Sequence, residues 1–271
     1  MVALFVPTIT HAENLTQKDC RLIDLFNAES EIPYTDFLSR RIHLRSFCVD
    51  GQRFCEVPLS KRDDDFHIFF NEDKPFLEQP SDLETNMFVS NILSKVQAST
   101  GLSKKPFSNR KVSGFVWVVF VQSDLLEEDK SNYLNTFISP RLYKRSPKDL
   151  QKQRDLFNSF VRSDLNCLTN VDRFTDNLIR GTYIWIKSGL EDQAIAQCLA
   201  DEFVGAMGIQ PIADTRLSGF SGMGLPAWGK VNDTKLDHIS LKFLYSPRMR
   251  RGVSMRETEN ISQQIYSDSC E

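Results

Sequence analysis

The chain has 271 residues, 41% of them hydrophobic and 25% charged, with a formal net charge of −3 and a pI near 5.9. Its 20 Phe, 3 Trp and 6 Tyr supply a packed interior, which excludes low-complexity disorder for most of the length. The mild acidity excludes general nucleic-acid binding, which needs a concentrated positive field, and no run reaches the roughly 18 apolar residues of a membrane span.

Residues 1–12 read as the end of a secretory signal. They are apolar from Val2 to Ile9, and Thr10 and Ala12 are the small residues a signal peptidase reads, although a charged n-region is missing. Residues 13–65 are polar and form an N-terminal extension. In it Cys48 and Cys55 flank an Asp50-Gly51 turn and can close a small disulfide hairpin. The apolar run Phe66–Phe70 suits a strand, and a helix over 83–100, capped by Ser81 or Asp82, is stopped by Gly101.

Residues 112–121 are apolar on both faces and predict a strand at the centre of a sheet. A helical segment over 125–138 follows, then an amphipathic helix over 148–165 on Leu156, Phe157, Phe160 and Val161. Gly181–Lys187 reads as another strand. The helix over 191–207 opens with acids and ends at Gly208, with Pro211 preventing continuation. Beyond a glycine-rich loop at 214–230, a helix over 236–245 stops at Ser246-Pro247. The polar tail 257–271 reads as a short helix or a loose end.

Six cysteines, at positions 20, 48, 55, 167, 198 and 270, fit export into an oxidising space. No CxxC occurs, so neither a thioredoxin-like site nor a zinc ribbon has support. Cys167 lies in a loop before the 181–187 strand and, with Cys198 on the helix after it, makes a second pair. Cys20 and Cys270 remain, either joined across the termini or free.

The segment Asp201-Glu-Phe-Val-Gly205-Ala-Met-Gly208 has the spacing of the H-E-x-x-H-x-x-G metallopeptidase helix. In that helix two histidines one turn apart bind zinc and the glutamate is the general base. Here Asp201 and Gly205 stand at the ligand positions, and a glycine has no ligating side chain, so no metal is expected. With Cys198 on this helix and Leu244-Tyr-Ser-Pro-Arg-Met-Arg-Arg-Gly252 after the last one, residues 66–256 resemble the proteobacterial family called domain of unknown function 2927. Cys198, Glu202 and Gly208 match its helix motif, and Leu244, Tyr245, Pro247, Arg248 and Gly252 match the later one. Asp201, Gly205 and Ser246 depart from the family pattern, and the N-terminal extension has no counterpart in it. The resemblance implies an exported α+β protein of zincin-like layout, with a mixed sheet against the metallopeptidase-type helix and a further C-terminal helix.

The reading that follows is a non-catalytic binding or assembly module at the cell envelope, periplasmic or secreted, without cofactor. An extended peptide or an envelope protein is its expected partner, held in a groove beside Tyr183–Lys187 and the 191–207 helix. Tyr183, Trp185, Asp201, His238 and Arg248 are the candidate binding residues. Arg248, Arg250 and Arg251 form a basic cluster suited either to a helix C-terminus or to an anionic polymer. One alternative is a peptidase-like hydrolase with Glu202 as general base. The other is a structural envelope protein whose groove is filled by its own extension. His43 and His67 are expected in structural roles.

Overall fold

The computed structural model describes residues 14–45, 55–70, 82–104, 114–121, 147–173, 176–210 and 233–271. The expected signal 1–12, the 125–138 helix, the 214–230 loop and the Cys48–Cys55 bond lie outside what is described.

A four-stranded mixed sheet in the order β3-β4-β6-β5 organises the fold. Strands β3 (His67–Phe70), β4 (Phe115–Val121) and β6 (Ile179–Lys187) run parallel, and β5 (Cys167–Arg173) is antiparallel to β6. A separate two-stranded antiparallel ladder pairs β1 (Leu44–Arg45) with β2 (Cys55–Glu56). Side chains alternate across β4 and β6, as the period of two demands. Val116, Val118, Phe120, Ile184 and Ile186 enter one core, whereas Val119, Val121, Tyr183 and Trp185 enter another.

Helix α4 (Pro147–Arg162) covers the second core with Phe157, Phe160 and Val161. The larger core holds residues of the remaining described helices. These are α1 (Gln17–Glu29), α2 (Tyr34–His43), α3 (Asp82–Thr100), α5 (Asp192–Ala206), α6 (Asp233–Tyr245) and α7 (Met255–Cys270). The result is a layered α+β arrangement in which both faces of the sheet are buried, as parallel strands require.

Three segments differ from the sequence expectation. Residues 17–43, expected as a polar extension, form two helices whose Ile23, Phe26, Tyr34, Phe37, Leu38 and Ile42 belong to the main core. Their exposed faces carry the charge that makes the average composition polar. The tail is the regular helix α7, started by a reciprocal Ser254–Glu257 capping box. Thr258 and Ser262 on its buried side are 0% exposed, and α7 packs chiefly on α2. There the Nδ1–H of His43 donates to the carbonyl of Val57 (2.6 Å), which leaves Nε2 to accept from Thr258 Oγ1 at 2.7 Å. Cys167 opens strand β5 rather than lying in a loop; a hairpin ladder to β6 supplies the backbone bonds its weak apolar alternation does not advertise.

Two disulfides are described. Cys167–Cys198 fastens β5 to α5, and Cys20–Cys270 joins α1 to α7, so these two cysteines are joined rather than free.

Two buried guanidinium groups tie the elements together. Arg41, 1% exposed, pairs with Asp237 and donates to Gln210 O and Ser240 Oγ, both at 2.8 Å. Arg62, 2% exposed, donates from Nε to Ala206 O at the C-terminal end of α5 (3.0 Å). Its other nitrogens reach Arg180 O, Phe115 O and Thr182 Oγ1 at the starts of β6 and β4 (3.4, 3.0 and 2.5 Å). A cation at this point also offsets the negative end of the helix dipole.

Candidate functional site

Helix α5 is set against the sheet by three features spaced one turn apart. Cys198 is bonded to Cys167 on β5. Glu202 offers its backbone carbonyl to Thr169 Oγ1 at 3.0 Å. Gly205 lies over the same threonine, where an added Cβ would come within 3.1 Å of Thr169 Cβ and Oγ1. The glycine in a histidine ligand position therefore serves close helix–strand packing, and its ~1 kcal/mol cost in a helix is offset by that approach. Gly208 ends the helix at φ +109, and a Cβ there would stand 2.4 Å from Ser60 O, so only glycine fits.

Glu202 is 0% exposed, between the disulfide and Gly205 along the helix. A general base needs a path to water or substrate, and this carboxyl is enclosed by protein. Asp201, next along the chain, is partly exposed and accepts from Gln197 Nε2 on both carboxylate oxygens at 2.9 Å, an ordinary pair across one helical turn.

The sequence placed Tyr183 and Trp185 beside α5, and the structure corrects this. Both are 1% exposed and project to the opposite face of β6, where Trp185 packs edge-on against Phe157 of α4 with ring centroids 5.2 Å apart. Nor does β6 have a free edge, because β4 and β5 pair with its two sides. The strand that lies at the sheet margin and packs against α5 is β5. Of the N-terminal segment, α1 and α2 pack on each other and on α6 and α7, whereas Ser60–Arg62 lie against the C-terminal end of α5 and the start of β6.

His238 on α6 makes its described contact with Ser99 of α3, Oγ to Nδ1 at 3.2 Å. Ser99 already donates its hydroxyl proton to the carbonyl of Lys95 (2.9 Å), so the imidazole must be the donor in the Ser–His pair. That polarity is the reverse of a nucleophile activated by a base. Burial, with the positive charges of Lys95 and Lys242, pushes the His238 pKa down to about 4, which keeps the ring neutral. Among the described residues no group of three or more His, Cys, Asp or Glu is placed to hold a metal ion.

Arg248 follows α6 and pairs with Asp268 of α7, both side chains more than half exposed. It lines a cleft of about 440 Å³ between the turn after α6 and one face of α7. Arg251 is engaged differently, with Asp63 at 2.9 Å and Asp176 at 3.4 Å. The basic cluster is thus divided among separate partners.

No protein-family model, no curated protein and no solved structure matches this chain.

Proposed function

We propose that this chain is an exported, non-catalytic module of zincin-like layout that binds or assembles with an envelope partner. An extended peptide of that partner adds along the margin of β5. The observation that carries the reading is the pairing of an antiparallel marginal strand with α5, fixed to each other by Cys167–Cys198 and by Gly205 over Thr169. A strand held in this way offers main-chain hydrogen bonds to an extended ligand without having to order itself first.

The absence of catalysis is supported by the Asp201-Glu-x-x-Gly205 frame and by the burial of Glu202. Export is supported by the two disulfides, which persist in oxidising compartments.

The test uses the purified, oxidised chain. Metal analysis is expected to find no stoichiometric zinc, and hydrogen exchange with a bound extended peptide is expected to slow the amides of residues 167–173. Stoichiometric zinc, or peptide hydrolysis abolished in a well-folded Glu202→Gln variant, would overturn the non-catalytic reading. Protection confined to other elements would overturn the placement on β5.

A further inference from the structure

A second feature, remote from α5 in the chain, has the make-up of a ligand site. The turn after α6 and the first half of α7 enclose a cleft of about 440 Å³ lined by Pro247, Arg248, Arg250, Val253, Glu257, Ile261 and Gln264. That volume lies within the range of small-ligand and side-chain pockets.

Both walls are fixed. On the turn, Met249 N bonds Ser246 O at 3.0 Å, Gly252 N bonds Leu59 O at 2.9 Å, and Lys61 Nζ bonds the carbonyls of Leu244 and Met249 at 3.2 and 2.6 Å. On the other side, α7 is held at its start by the Ser254–Glu257 box and at its end by the Cys20–Cys270 bond. Glu257, Ile261 and Gln264 follow one another at helical spacing, so they share a stripe of α7. Such a cleft pays little ordering entropy when it is filled.

The charges decide what fills it. Arg248 is committed to Asp268. Glu257 is committed to the helix start: Ser254 N and Oγ donate to its Oε2 at 2.9 and 2.7 Å, and these bonds hold its carboxyl below the usual pKa. Arg250 is exposed and makes no ion pair with any described residue. The uncommitted charge of the cleft is therefore one guanidinium, beside the half-buried aliphatic side chains of Val253 and Ile261.

We infer that this cleft binds a carboxylate carried next to an aliphatic group, as in an acidic, leucine-rich segment of a partner polypeptide. A planar carboxylate meets the Arg250 fork through two parallel hydrogen bonds while the aliphatic part covers Val253 and Ile261. This site is independent of peptide addition at β5.

The test is fluorescence anisotropy with a labelled octapeptide of alternating leucine and glutamate, added to the oxidised full chain. Saturable binding is expected, weakened about tenfold in Arg250→Glu and in Ile261→Asp, and unchanged in Arg256→Glu, an exposed cation that does not line the cleft. The same peptide with lysine for glutamate is expected not to bind. Failure of the wild type to saturate by about 1 mM, or equal affinity in Arg250→Glu, would overturn the inference. Because Arg250 is exposed and unpaired among the described residues, its replacement leaves the fold intact, which circular dichroism checks. Loss of amide protection at residues 167–173 bears only on the β5 reading, so the two proposals fail separately.

Discussion

At the scale of single residues, burial decides chemistry more than residue type does. His238 has the side chain most often used as a base, yet its pKa is pushed down to about 4 by burial and by Lys95 and Lys242. The unfolded chain takes up a proton there near pH 6.5, whereas the folded chain resists until about pH 4. Stability from this group is therefore complete above about pH 6.5 and is lost as the pH falls toward 4. The loss amounts to at most about 3–4 kcal/mol, since each pKa unit is about 1.4 kcal/mol. Urea denaturation at a series of pH values should show this decline in the wild type and a flatter profile in His238→Asn. Equal slopes for the two proteins between pH 6.5 and 4 would assign the decline to other groups.

At the scale of elements, the joint between α2 and α6 is a buried ion pair. Arg41 and Asp237 have side chains 1% and 2% exposed, and the guanidinium also reaches Ser240 Oγ and Gln210 O. Removing one partner leaves a charge in a poorly solvated site, so Asp237→Ala should cost about 3–5 kcal/mol. The double replacement Arg41→Met with Asp237→Leu should recover much of that loss, because neither charge then remains to be desolvated. Denaturant unfolding of the two variants checks the difference. If the single and double variants are equally destabilised, packing rather than charge accounts for the cost.

The same joint explains which elements the sequence discloses. Strand β4 is legible because seven consecutive apolar residues fit only a strand buried on both faces. Helix α5 is legible from its Gly208 and Pro211 punctuation, and the role of Gly205 in close packing follows from its mid-helix position. Helices α2 and α7 are harder to see, because their inner faces mix apolar residues with Thr35, Ser39, Arg41, His43, Thr258 and Ser262, and α1 buries only Cys20, Ile23 and Phe26. A buried arginine or threonine carries no pattern until its partner on a distant helix is known. The candidate site shows the same limit. Glu202 and Cys198 stand out on spacing alone, but the face on which Tyr183 and Trp185 lie depends on strand register. A single residue of register turns every side chain to the opposite face.

At the scale of the whole molecule, the two described disulfides do different work. Cys167–Cys198 closes a separation of 31 residues within the sheet-and-helix unit, and Cys20–Cys270 closes one of 250. Chain-entropy reasoning assigns the longer closure the greater effect on the unfolded state, about 5 kcal/mol. The Cys20→Ser, Cys270→Ser variant should accordingly unfold at lower denaturant than the oxidised wild type. Reduction of the wild type should move it toward the variant. Coincident unfolding curves for the variant and the oxidised protein would mean that helix packing alone holds α7 in place.

The bond between Cys20 and Cys270 also changes how the molecule carries mechanical load. A pull on the two ends of the chain meets a covalent bond before it meets the sheet, so tension is shunted past almost the entire fold. Loaded through the segments that flank Cys20 and Cys270, the oxidised protein would keep everything between those two residues out of the path of the force. Once reduced, it would become a spring that pays out its length as helices and strands peel away.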